Sequence, residues 1–196
     1  MAARTITLKK AAVLSGLAVA ALALAGCAGS TSNKSAGAPE PLKRIDPARF
    51  YSGTWLEIAR RPMFITDGCV AGTTSYRRRS ATSVSVLDAC REGGRSGREK
   101  SIGGEGTILD PGRNTKLRVI YNAFISRDYW ILDRADDYSW FIEASPDFRD
   151  AYIFTRKVPS DSLLRRLVGR LQRMGYDVSK LEFPAQPPVG RVTPAR

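Results

Sequence analysis

The sequence predicts an all-β body followed by one late α-helix. Three observations carry that reading: eight short strand-like segments between residues 55 and 156, turn signals that separate them, and a later stretch whose apolar residues recur at helical spacing. Eight short antiparallel strands at such spacing suit a sandwich or a closed barrel.

The expected strands are 55–60, 70–76, 84–89, 99–109, 116–121, 129–133, 138–144 and 151–156. Alternation is clearest in 116–121, where Leu117, Val119 and Tyr121 share one face and Lys116, Arg118 and Ile120 the other. The fourth strand is broken by glycines, and Asp110-Pro111-Gly112-Arg113-Asn114 is a turn by composition. Pro159-Ser160-Asp161 opens the helix, with Ser160 as N-cap and Gly175 past its end. Leu163, Leu164, Leu167, Val168, Leu171 and Met174 form its apolar stripe, and Arg165, Arg166, Arg170 and Arg173 occupy the rest. That pattern places one face on the sheet and the other in water.

The ends read differently. Residues 1–26 begin with Arg4, Lys9 and Lys10 and continue as a run of small apolar residues, too short to span a bilayer. This is the pattern of an export signal. Leu24-Ala25-Gly26-Cys27 resembles the bacterial lipobox, which implies that Cys27 becomes a lipidated N-terminus. More than one acyl chain on it would give a stable anchor. In the lipoproteins that this motif resembles, a residue such as Ala28 in place of an aspartate favours sorting to the outer membrane. Residues 27–46, rich in Ser, Gly, Ala and Pro, are expected as a flexible tether, 47–183 as the folded domain, and 184–196 as a disordered tail.

Composition excludes several chemistries. The chain has 196 residues, a formal charge of +12 and no histidine, so it cannot build a Ser-His-Asp triad, a Cys-His pair or a His-ligated metal within itself. Three cysteines cannot make a Cys₄ site. No cofactor and no metal are expected. Loss of the three leader cations lowers the charge from +12 to +9, so the basic excess belongs to the exported body too.

Three motifs in order resemble the lipocalin family over nearly all of 47–183. Gly53-Thr54-Trp55 matches its Gly-x-Trp segment on the first strand. The stretch from Asp133 to Tyr138 stands where the family has Thr-Asp-Tyr, here without the threonine. Phe154-Thr155-Arg156 matches the arginine that ends the eighth strand. The resemblance implies an eight-stranded antiparallel up-and-down β-barrel with the helix packed outside. It also implies that Arg156 stacks on Trp55 and closes the floor beside Gly53. Cation–π attraction and the donors of a guanidinium suit that role, which is structural. Gly175 to Ser179 adds a likeness to the lipidated bacterial branch.

With Cys27 carrying lipid, Cys69 and Cys90 remain. They are equidistant from a hairpin turn centred between Arg79 and Ser80, which sets them opposite each other. An oxidising envelope would join them. The rival is a free, reactive Cys69 in the cavity, as in a lipocalin isomerase.

Alternate residues of each strand face a barrel's interior, and eight strands leave room for one small ligand. The expected cavity residues are Tyr76, Val84, Val86, Leu117, Val119, Tyr121, Tyr129 and Trp140, with Gly104 and Gly106 leaving space. Arg77, Arg78 and Arg79 at one turn, and Arg91, Arg95, Arg98 and Lys100 at the next loop, are either solvated or drawn to anionic headgroups. The expected function is that of a lipid-anchored outer-membrane carrier of fatty acids, lysophospholipids or similar amphiphiles, not an enzyme. Nucleic acid is no partner of such a protein. The alternatives are an envelope enzyme acting on lipid, such as a thiol isomerase working through Cys69, and a filled barrel with a structural role.

Overall fold

The computed structural model describes residues 37–186; the leader, Cys27 and residues 187–196 lie outside them. Eight antiparallel strands close into one barrel: β1 (Ser52–Arg60), β2 (Cys69–Arg78), β3 (Ser83–Glu92), β4 (Arg98–Ile108), β5 (Lys116–Asn122), β6 (Ile125–Arg134), β7 (Trp140–Ala144) and β8 (Ala151–Thr155). Each strand pairs with the next, and β8 pairs back on β1. Closure leaves no exposed edge. The barrel, not the sandwich, is the solution taken.

All eight expected strands are present, several longer at their ends. A short helix, α1 (Pro47–Phe50), was not expected. Asp46 caps it by accepting from the Ala48 N–H at 2.9 Å. Its Phe50 is fully buried and plugs the floor among Tyr51, Trp55, Tyr76 and Phe141. The later helix, α2 (Asp161–Arg173), starts as expected: the Ser160 hydroxyl accepts from the Leu163 N–H.

Two apolar clusters make the core. One fills the lower barrel. The other lies outside the sheet, where Leu167 and Leu171 of α2 pack on Ala59, Ile142 and Ile153. One arginine of the helix is not simply solvated: Arg170 pairs with Asp133, whose side chain is buried. Asp133, the first residue of the segment that resembles the family's Thr-Asp-Tyr, thus lies under the helix rather than in water.

The tether and tail boundaries also shift. Residues 41–46, expected as linker, run along the barrel: Leu42 N–H donates to the Leu132 carbonyl at 2.8 Å and Ile45 N–H to that of Arg113 at 2.9 Å. Ile45 is buried in the inner core. Residues 184–186, expected as disordered tail, cover β1 and β2. Ala71 N–H donates to the Ala185 carbonyl at 2.7 Å, and the Gln186 amide donates to the Glu57 carbonyl at 3.0 Å. Backbone groups at a strand irregularity need such partners, and β2 shifts register between Val70 and Thr73.

Candidate functional site: a barrel cavity with buried carboxyls

The floor is built as the resemblance implied. The Arg156 guanidinium lies 3.4 Å from the Trp55 ring centroid. Its Nη1 donates to the Thr54 carbonyl at 3.0 Å, while Trp55 Nε1 donates to the Phe50 carbonyl at 3.3 Å. Gly53 has φ +63°, a left-handed conformation that a side chain disfavours. The helix, the tryptophan and the arginine therefore seal this end together.

The other end is open. Above the floor lies a cavity of about 300 Å³. Tyr76, Val86, Val119, Tyr121 and Tyr129 line it, as expected. Val84 and Leu117 also face inward, but they sit lower, fully buried in the floor cluster. Trp140 does not face inward. It packs in the outer cluster, with the Arg170 guanidinium 5.7 Å from its ring centroid. Its strand neighbour Phe141 takes the interior position. Both faces of β7 are buried, one by the barrel core and one by α2, so its sequence shows no alternation to read. The space expected at Gly104 is already filled, because a Cβ there would stand 2.7 Å from Val119 Cγ1.

Cys69 and Cys90 form a disulfide, with Cα atoms 5.5 Å apart. The register differs from the one expected. Cys69 lies opposite Glu92, and Cys90 is two residues along the same strand. The bridge forms diagonally, next to the irregularity in β2.

The site's most informative residues were missed by the sequence reading. Glu57, Asp88 and Glu143 all line the cavity. Glu57 lies two residues beyond Trp55, Asp88 two beyond Val86, and Glu143 two beyond Phe141, so each continues an inward-facing phase. Gly72 makes room for the first, since a Cβ there would fall 2.7 Å from Glu57 Oε1.

The three carboxyls are not equally partnered. Arg60 donates to Glu57 at 2.6 Å and to Glu182 at 2.6 Å. It also donates to the carbonyls of Cys69 and Thr66, at 2.7 and 3.2 Å. Asp88 accepts from Thr74 at 2.7 Å and from Tyr121 at 2.5 Å. Glu143 is only 4% exposed, and its Oε2 has no hydrogen-bond partner among the described residues. Burial pushes Glu57 up to about 7 despite Arg60. Burial raises Asp88 despite its two donors. Glu143 is raised well above the carboxylate range, first by burial and then by the charges of Asp88 and Glu57. Among the described residues, no group of acids is placed to hold a metal ion.

The rim is basic and apolar. Lys100 and Arg127 reach the cavity edge. Phe64 and Phe124, on the β1–β2 and β5–β6 loops, are 91% and 96% exposed. The two basic loops lie at opposite ends of β3: Arg77 to Arg79 flank the turn at the sealed end, and Arg95 and Arg98 the loop at the open end.

A sealed floor, an open rim and a lined interior define a cavity-bearing β-barrel with room for a small ligand. The family model of the lipocalin-like domain matches residues 45–186, and the chain belongs to that family. Members of the family are typically binding and transport proteins, and the fold suits small hydrophobic ligands. A putative lipocalin from Acanthamoeba polyphaga mimivirus is 28% identical over 135 residues, covering 67% of this chain and 79% of that protein. Insecticyanin from the tobacco hornworm Manduca sexta superposes with a TM-score of 0.57 at 17% identity, covering 74% of this chain and 83% of its own. The amine-binding protein of Rhodnius prolixus, solved as a tryptamine complex, gives 0.54 at 12% identity, covering 75% and 85%. At such identities the structural likenesses concern the fold.

Proposed function

We propose that the chain is a carrier that holds one small amphiphile in its barrel and works at the bacterial outer membrane, anchored by lipid on Cys27. The observation that carries the binding reading is the cavity of about 300 Å³ above a sealed floor. A filled barrel would have no such space. Three features support a membrane setting: the lipobox-like Leu24 to Cys27, the exposed Phe64 and Phe124 at the rim, and the exposed cations Arg95, Arg98 and Lys100 on the same end. Apolar tips with cations suit an anionic interface.

The lining of Met63, Ile65, Ile102 and Ile125 near the rim accommodates an alkyl chain of the kind that fatty acids and lysophospholipids carry, whatever the head. A thiol isomerase needs a thiolate, and Cys69 is tied up with Cys90. The experiment is native mass spectrometry of the full chain after exposure to an envelope lipid extract. One retained amphiphile, lost in a folded Tyr121→Lys variant, supports the carrier. A bare protein that takes up nothing overturns it.

A further inference from the structure

We propose that the cavity selects an amphiphile carrying a protonated amine, whose ammonium is received by Glu143, with Asp88 and Glu57 beside it and the apolar part directed to the rim. The inference rests on the carrier reading and names the ligand's head.

The argument begins with charge. The cavity wall holds three carboxyls and one buried guanidinium, and that guanidinium is already shared between Glu57 and Glu182. Among the described residues, Asp88 has two neutral donors and no cation. Glu143 has an oxygen that nothing in the described residues meets. A buried acceptor without a donor is costly, and native proteins keep few of them. A ligand that supplies the missing donor recovers that cost, and a charged donor recovers most.

Position supports the same head. Glu143 pairs across the β7–β8 ladder with Tyr152 and stands one inward step above Phe141. It therefore lies just above the aromatic floor. A head bound there leaves the ligand's body among Tyr152, Tyr129 and Met63, with the rim's isoleucines beyond. An ammonium fits the space better than a metal ion, because the acids do not converge as a metal set does. A carboxylate head would meet three acids. Arg60 is already taken by Glu57 and Glu182, and the rim cations Lys100 and Arg127 are exposed and screened by solvent.

The test is calorimetric titration of the full chain with three eight-carbon probes: octylamine, octanol and octanoate. The expected result is that octylamine binds at least about tenfold more tightly than either of the others. Glu143→Gln keeps the fold, checked by circular dichroism, and brings octylamine down to the affinity of octanol. Octanol or octanoate binding as tightly as octylamine overturns the amine head and leaves the carrier standing. Failure of all three overturns the carrier as well. An amine preference that survives Glu143→Gln overturns the assignment to Glu143.

Discussion

Arg60 donates to Glu57 at 2.6 Å, three residues back on the same strand, and both side chains are almost closed to solvent. The pair supplies one acid of the cavity with a cation, whereas Asp88 and Glu143 have none of their own among the described residues. Structure and binding therefore make opposite demands on Glu143: it costs the empty fold something, and it is the group a cationic ligand would use.

Replacing Glu143 by leucine should stabilise the empty protein. The substitution removes a buried, unpartnered acceptor and keeps an apolar volume in place. Urea denaturation should show a gain of about 1–2 kcal/mol with an unchanged m-value. A loss of similar size would mean that Glu143 is a structural acid.

Arg156→Ala should cost about 2–3 kcal/mol, from a partly buried cation–π contact and the lost bond to the Thr54 carbonyl. Trp55→Ala should cost more, about 3–5 kcal/mol, because it empties a fully buried site. Denaturation curves rank the two, and near-equal costs would contradict this account of the floor.

The double variant Cys69→Ser, Cys90→Ser should lose about 3 kcal/mol, as expected for releasing a loop of 21 residues. It should still bind ligand, because the bridge constrains the strands rather than serving as a reactive group. In the native protein neither thiol should react with a disulfide reagent. A reactive Cys69 would revive the isomerase alternative.

Stability should fall as pH rises from 5 to 8. Glu57 is held up at about 7 by burial, above the 4.5 of a free glutamate. Its folded form therefore prefers the proton. The stability it contributes is complete below pH 4.5 and is lost as pH passes 7. The change is at most about 3 kcal/mol. Asp88 and Glu143 are raised as well and act with the same sign. Asp147 is lowered to about 2 by Ser145 and Arg149, so it acts in the opposite sense, and only in strong acid. Urea midpoints at pH 5 and pH 8 measure the difference, and Glu57→Gln should shrink it.

Cys27→Ser should move the protein from the membrane fraction to the soluble fraction when expressed in a bacterial host. Retention in the membrane fraction would show that the anchor lies elsewhere.

Much of the fold was legible because the interior phase repeats along isolated strands. Leu117, Val119 and Tyr121 alternate cleanly since the outer face of β5 meets water. Trp140 was misplaced because α2 covers the outer wall and makes both faces of β7 apolar. The acids were overlooked for a different reason. An acid within a strand reads as solvent-facing, yet Asp88 continues the phase of Val84 and Val86, both rightly placed inside. The phase was the signal. The docking of residues 41–46 and 184–186 had none, since backbone hydrogen bonds to a barrel leave little mark on composition.

The most direct measurement is infrared difference spectroscopy of the full chain with and without octylamine at pH 7. An uncharged Glu143 absorbs as a carboxylic acid, and the band that belongs to it is the one missing from Glu143→Gln. The account predicts that this band disappears on saturation with octylamine, as the carboxyl releases its proton to bulk water and pairs with the ammonium. A band left unchanged at saturation would contradict it.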